Sequence, residues 1–146
     1  MSERLRGRLA AAALAVPLIA GLAACGDDDK DKAKEAATAA CPSNLNQTVS
    51  TAIPSDVPAP SGNVYEYSNQ GKTQVWFYSL SGSPDQLPSL RDAYDSQLSG
   101  KGYKIEGTDQ EEGSEAESEF SGPHEGTTNF RPLCSGKVVF RLKLTS

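Results

Sequence analysis

Every second side chain is large and apolar in the stretch 138–144, which reads Val-Val-Phe-Arg-Leu-Lys-Leu. Successive side chains of a β-strand point to opposite faces, so this alternation indicates a strand with one buried face and one face in water. A lone strand or hairpin is at best marginally stable, because independent stability needs three or more strands or a covering helix. The rest of the chain must therefore supply partner strands and a cover.

Five further segments have strand character and one has helix character. The strand candidates are residues 64–68, 73–80, 103–107, 115–120 and 127–133. Asn69-Gln70-Gly71 separates the first two, which indicates a hairpin. The helix candidate starts near Ser83-Pro84-Asp85, with Asp85 as its predicted cap, and stops at Gly100 and Gly102.

The helix candidate carries a single apolar stripe, which consists of Leu87, Leu90, Tyr94 and Leu98. Such a helix packs on one surface, here the apolar face of the sheet. The order β-β-α-β-β-β-β predicts an α+β fold, a small antiparallel sheet of about five to six strands with one helix packed on one face. Residues 41–63 contain four prolines and have loop composition, apart from a short strand candidate at Thr48–Ile53.

The N-terminus has the three parts that are typical of an export signal. Three arginines precede an uncharged apolar run over residues 9–24, and Cys25 follows directly. At 16 residues, this run is shorter than the roughly 20 residues that a membrane-spanning helix needs, and Pro17 would kink it. The pattern predicts a cleaved signal rather than a spanning helix.

Leu22-Ala23-Ala24-Cys25 resembles the bacterial lipobox, and the resemblance covers residues 1–25. It implies that a diacylglyceryl group, with acyl chains such as palmitate, is attached to the Cys25 thiol and that the signal is cut between Ala24 and Cys25. Two acyl chains hold a protein stably on a membrane, whereas a single chain gives only marginal membrane binding. The expected location is the cell membrane, lipid-anchored on the extracytoplasmic side.

The lipobox interpretation divides the chain into three parts: a signal peptide (1–24), a lipidated cysteine with a charged, alanine-rich tether (25–40) and a single α+β domain (41–146). As a flexible coil the tether would span about 20 Å, although part of it could be helical.

The whole chain has 19 acidic and 14 basic residues. Removal of residues 1–24 takes away Glu3 and three arginines, which leaves 18 acidic and 11 basic residues and a net charge of −7. This charge disfavours nucleic acid, which requires clustered Lys and Arg. The expected partners are the membrane and an envelope protein or ligand, with no cofactor beyond the covalent lipid.

Cys41 and Cys134 remain once Cys25 carries the lipid. Two remaining cysteines in an exported protein are expected to form a disulfide. Because they are 93 positions apart, the bond would close almost the whole domain. The chain-entropy relation predicts that a disulfide that closes such a loop stabilises the fold by roughly 4–5 kcal/mol. A metal pair or a catalytic thiol is the alternative, but CxxC spacing and a nearby histidine are missing.

Seven acidic residues lie between positions 106 and 119, and no lysine or arginine occurs from 105 to 130. Calcium binding is one interpretation, but the spacing does not match an EF-hand. A hydrolase with paired carboxylates is another, although nothing in the sequence places one acid in an apolar pocket. The third is structural, with glutamates of strand 115–120 opposing Arg131, Arg141 or Lys143 on other strands. We favour the third and predict no metal ligand.

His124 is the only histidine and lies in a Gly-Pro-rich turn, where we expect it to be exposed. Its neighbours supply no nucleophile motif. The sequence also has no P-loop, dinucleotide-binding, Gly-x-Ser-x-Gly or HExxH motif. We therefore predict no catalytic residue and no enzymatic activity.

Aromatic residues concentrate in the predicted hairpin. Tyr65 and Tyr67 share one face of the first strand, and Trp76 and Tyr78 share one face of the second. Because residues 75–78 are apolar on both faces and the helix covers only one, these four residues are a candidate binding face. In the alternative that we favour, loop 41–63 covers them and completes the core. The pairing register decides which aromatic side chains face together.

Residues 73–145 are also similar to small lipoproteins of high-GC Gram-positive bacteria. The shared segments are Leu-Arg-Asp-Ala-Tyr-Asp (90–95), Lys-Gly-Tyr (101–103), Glu-Ala-Glu-Ser-Glu-Phe (115–120) and Leu-Cys-Ser-Gly (133–136). This resemblance implies no activity. The expected function is that of a membrane-anchored, non-enzymatic binding or structural module of the cell envelope. The alternatives are a small cell-envelope hydrolase that uses acidic residues and a calcium-dependent binding module.

Overall fold

The structure, a computed structural model, describes residues 28–146, with side chains from Asp31 onward. The helices are α1 (Asp28–Thr38) and α2 (Leu87–Gly100), with short 3₁₀ turns at Ser43–Asn46 and Pro84–Gln86. The strands are β1 (Asn63–Gln70), β2 (Thr73–Ser81), β3 (Lys104–Glu111), β4 (Glu115–Ser121), β5 (Glu125–Cys134) and β6 (Lys137–Thr145). The predicted α+β class and the order of the strands around the main helix, α2, are confirmed.

The six strands form one antiparallel sheet in the order β1-β2-β6-β5-β4-β3. Strand β6 lies in the middle, paired with β2 on one side and β5 on the other. Its apolar side chains Val138, Phe140 and Leu142 are 0% exposed, and Leu144 is 3% exposed. The alternation in the sequence therefore predicts one of the two central strands of the sheet.

Two elements cover the apolar face of the sheet. Helix α2 packs over β3, β4 and β5, with Leu87 and Leu98 fully buried. Residues of the loop before β1, including Val57, complete the core on the β1–β2 side. The prediction of a short strand at Thr48–Ile53 is wrong, because these residues adopt no regular secondary structure. The backbone N–H of Val49 donates one hydrogen bond to the Val64 carbonyl of β1, at 2.8 Å.

The start of the α2 segment differs from the prediction by two residues. The N-cap of the preceding 3₁₀ turn is Ser83, not Asp85. The Ser83 backbone N–H donates to Gln86 Oε1 at 3.0 Å, and this bond caps the start of the turn. At the other end Gly102 adopts φ +89°, a conformation that glycine tolerates, and the Tyr103 N–H bonds the Leu98 carbonyl at 3.1 Å. The predicted stop is therefore confirmed.

The predicted disulfide is present, and it joins Cys41 to Cys134 with a Cα–Cα distance of 5.0 Å. Cys134 is the last residue of β5. The bond thus fixes the start of the 41–63 loop to one end of the sheet.

Helix α1 occupies most of the segment predicted to be a tether. Its half-buried side is formed by Ala33, Ala36 and Ala37, and it contacts β5 and the 3₁₀ turn at Pro84–Gln86. Alanine is the best helix former, but a helix of 11 residues is marginal in water by itself. Contact with the sheet therefore stabilises α1. Over the described residues, no helix combines the length and the apolar character needed to cross a bilayer.

Candidate functional site

Two of the four aromatic residues of the candidate binding face belong to the core. Trp76 is 0% exposed and Tyr78 is 4% exposed. The loop before β1 covers this region, because Trp76 Nε1 donates to Thr51 Oγ1 at 3.3 Å. Burial raises the pKa of Tyr78 to about 12. Neither side chain is accessible to a partner in this conformation.

The other two tyrosines are divided between the two faces of the sheet. A bulge in β1, where the register shifts between Val64 and Glu66, reverses the direction expected for Tyr65. The Tyr65 ring contacts Phe77 with a centroid distance of 6.4 Å, whereas Tyr67 packs on Trp76 at 5.3 Å. The structure therefore does not bring the four predicted residues onto one exposed surface.

A cluster of polar side chains lies on the face of the sheet opposite α2. It consists of Glu115 and Glu117 on β4 and Asn129 and Arg131 on β5, and we call it the carboxylate cluster. Asn129 Nδ2 donates to Glu115 Oε1 at 2.6 Å and also to Glu117 Oε1. Arg131 Nη2 forms an ion pair with Glu115 Oε2. The prediction that the glutamates oppose Arg131 is confirmed for Glu115.

The two glutamates of the cluster differ in their affinity for a proton. Burial, and then the hydrogen bond to Glu117, raise the pKa of Glu115 to about 7, although Arg131 opposes this shift. The same hydrogen bond from Glu115, assisted by Asn129 and Arg131, lowers the pKa of Glu117 below its usual value. The two carboxyl groups therefore titrate as a coupled pair that shares a proton.

A cavity of about 460 Å³ lies between α1 and the sheet, and we call it the α1 cavity. Its lining residues are Lys32, Ala33, Ala36, Glu111, Ser114, Glu115, Arg131 and Pro132. Its volume falls in the range of about 300–1,000 Å³ that is usual for small-molecule sites. Carboxylates, cations and small apolar side chains all contribute to its wall, so it can take a polar ligand that carries charge.

His124 is half-buried and has a carboxylate partner. Its Nε2 lies 3.4 Å from Asp56 Oδ2, and the Tyr103 hydroxyl donates to the same oxygen at 2.8 Å. The Tyr103 hydrogen bond, together with His124, lowers the pKa of Asp56. In the described part of the chain, His124 forms no hydrogen bond with a hydroxyl or thiol nucleophile. This group therefore fastens the 41–63 loop to the β4–β5 turn.

The remaining site predictions concern lipid and metal. Cys25 and the cleavage position Ala24 lie outside the described residues. Among residues 28–146, no group of three His, Cys, Asp or Glu side chains is arranged to hold a metal ion.

Sequence reasoning missed two contributors to the candidate site. Asn129 was not recognised because its role depends on the β4–β5 register, which places it opposite Glu117. The alanines of α1 fall in the predicted tether, although their spacing at 33, 36 and 37 indicates a packed helix face.

Comparison of the chain with protein-family models, with curated proteins and with solved structures finds no match.

Proposed function

We propose that the chain is a membrane-anchored, extracytoplasmic lipoprotein whose folded domain is a non-enzymatic binding or structural module of the cell envelope. The Cys41–Cys134 disulfide is the observation that carries this proposal. Disulfides persist in oxidising compartments and are rare in the cytosol. With both of these thiols bonded, Cys25 is the one cysteine left for lipidation, and it follows Leu22-Ala23-Ala24.

The α1 cavity is the place where a small ligand would bind. It has the volume of a small-molecule site, and it brings the charged groups of Glu115 and Arg131 to one wall. Its opposite wall belongs to α1, which begins three positions after the proposed lipid attachment site. Ligand binding and membrane attachment would therefore involve the same end of the domain.

The geometry of the carboxylate cluster supports a structural role for the acidic segment. A glycosidase holds its two carboxyl groups on either side of the bond that it cleaves. Glu115 and Glu117 instead project from the same face of one strand, two residues apart. Asn129 donates to both carboxyl groups, so they share one donor and do not flank a cleft from opposite sides.

One observation favours the hydrolase as a second candidate. The pKa of Glu115 is raised to about 7 and that of Glu117 is lowered, the pattern of a general acid beside a second carboxylate. Incubation of the protein with isolated cell envelope, followed by assay of released soluble fragments, discriminates the two functions. We expect no release. Release that Glu115→Gln abolishes and Glu119→Gln preserves would establish the hydrolase and overturn our proposal.

Fractionation of cells that produce the chain tests the anchor. The wild-type protein should sediment with the membrane, and Cys25→Ala should not yield a mature, membrane-bound product. The double variant Cys41→Ala/Cys134→Ala is the matched control, because it removes the other two thiols and should remain in the membrane. A Cys25→Ala protein of mature size that is retained in the membrane would contradict lipid anchoring.

A further inference from the structure

Helix α1 contacts the sheet at one end. The cavities on its two sides are lined by Glu111 and Ser114 on one side and by Pro84 and Gly113 on the other. These residues belong to the end where β3 turns into β4 and where α2 begins. We call this the anchor end. The distal end carries the β1–β2 turn at Gly71 and the β4–β5 turn at Gly122.

The C-terminus of α1 is fixed to the anchor end by two bonds. The Ser135 N–H donates to the Ala39 carbonyl at 2.9 Å, directly after the helix. Cys41, two residues further along, is joined covalently to Cys134. Because Ala39 and Ala40 are the only residues between Thr38 and Cys41, no flexible segment separates α1 from the sheet.

The length of chain before α1 then limits the distance between the lipid and the domain. Cys25 precedes Asp28 by three residues. Three steps of about 3.8 Å between Cα atoms reach at most roughly 11 Å. Strand β6, with 9 residues, extends roughly 30 Å between the two ends of the sheet. A lipid on Cys25 would thus be held nearer to the anchor end than to the distal end.

We propose that the anchor end faces the lipid bilayer and that the domain stands end-on, with its distal end pointing away from the membrane. This inference depends on the proposed lipidation of Cys25. Glu111, Glu112 and Gly113 at the anchor end are exposed or half-buried and carry no apolar side chain that could insert among acyl chains. The anchor end therefore meets the headgroup layer without entering the hydrocarbon. The distal end, with its His124–Asp56 contact, is left accessible to partners.

Paramagnetic broadening measures this orientation. The lipidated protein is assembled in phosphatidylcholine nanodiscs that contain lipid with a nitroxide on the headgroup, and amide signals are compared with and without reduction of the nitroxide. We expect strong broadening for Gly113 and Gly136 and little for Gly71 and Gly122. Equal broadening at both ends, as for a domain on a flexible spacer or lying on its side, would overturn the proposal, as would the reverse gradient.

Two helix variants test whether α1 sets the orientation. Ala33→Pro removes a backbone donor and clashes with the preceding turn, so it should break α1 and abolish the difference between the two ends. Ala33→Ser is the matched control and should preserve the difference, because serine costs little within a helix. A gradient that survives Ala33→Pro would show that α1 is not responsible.

Cys25→Ala separates failure of this inference from failure of the proposed anchor. If wild-type protein enters nanodiscs and Cys25→Ala does not, the anchor is supported and the broadening pattern alone decides the orientation. If the wild-type protein carries no lipid and does not associate with the discs, both proposals fail.

Discussion

Ser118 on β4 donates a hydrogen bond of 2.6 Å to Asp95 Oδ2 on α2, between two side chains that are 1% and 8% exposed. This bond links the helix to the sheet, as does the bond from Arg91 Nη1 to the Asp109 carbonyl of β3 at 3.2 Å. Thr128 lies directly opposite Ser118 in the β4–β5 register. In the described part of the chain, Asp95 Oδ1 and Thr128 Oγ1 are buried without a hydrogen-bond partner. The interface therefore holds a carboxyl group that is only half satisfied.

Asp95→Asn should stabilise the fold at neutral pH. Burial raises the pKa of Asp95, so its contribution to stability is present below the unfolded-state pKa and is lost as pH rises through the folded-state pKa. Asparagine keeps an acceptor for Ser118 and does not ionise. We expect a gain of about 1 kcal/mol at pH 7, a rise in Tm of roughly 4–8 °C, and little gain at pH 3.

Thermal unfolding of Asp95→Asn at pH 3 and pH 7 measures this effect, and Ser118→Ala is the companion variant. Loss of the Ser118 donor leaves the Asp95 carboxylate buried without a partner, at a cost of about 1–3 kcal/mol. A lower Tm for Asp95→Asn than for wild type at pH 7 would contradict the argument.

Glu115 should titrate near pH 7, and Glu117 should titrate below its ordinary value. Because the folded-state pKa of Glu115 is raised, the stability it contributes is present below about pH 4.5 and is lost as pH rises through about 7. Carbon-13 NMR titration of the side-chain carboxyl signals measures both values.

Arg131→Met should raise the pKa of Glu115 further, because the Arg131 guanidinium favours its ionised form. Lys143→Met is the control, since Lys143 lies opposite Thr127 and has no contact with Glu115. If both glutamates titrate together near pH 4.5, the shared proton does not exist.

Gly126→Ala should destabilise the domain strongly. A Cβ atom at this position would overlap the Lys143 carbonyl oxygen and lie 2.5 Å from the Phe120 ring. Overpacking of this kind costs about 1–3 kcal/mol, measurable as a lower urea midpoint. Gly107→Ala, in an edge strand of the same sheet, is the control, because its Cβ would meet no atom within 4 Å. Equal midpoints for the two variants would refute the packing of Phe120 on Gly126.

Removal of the disulfide should cost up to about 4–5 kcal/mol, because the bond closes a loop of 93 residues. Urea unfolding of Cys41→Ala/Cys134→Ala measures the loss. Wild-type protein in dithiothreitol should match the variant, and the variant itself should not respond to the reductant. An unchanged midpoint in both cases would mean that the bond does not constrain the unfolded chain.

The alternation in β6 and the stripe on α2 could be read from the sequence because each pattern is local. The core-facing positions Val138, Phe140 and Leu142 follow from the alternation of apolar side chains within seven consecutive residues. The disulfide could be predicted because lipidation of Cys25, as the lipobox resemblance implies, would leave two cysteines and therefore one pairing. These features depend on no knowledge of how distant strands align.

The candidate site could not be predicted to the same extent, since it depends on register. One bulge at Tyr65 moves that ring to the opposite face, and one register places Asn129 beside Glu117. The helix α1 is stabilised by contacts of Ala33 and Ala36 with distant strands, and propensity alone leaves a helix of that length marginal. These contacts cannot be predicted from the helix propensity of a short segment.

The intact mass of the protein purified from its own membrane tests lipid anchoring most directly. The account predicts a chain that begins at Cys25 and carries the added mass of a diacylglyceryl group, which is lost when residue 25 is replaced by alanine. A membrane-associated chain that begins elsewhere, or that begins at Cys25 with no added lipid mass, would contradict it.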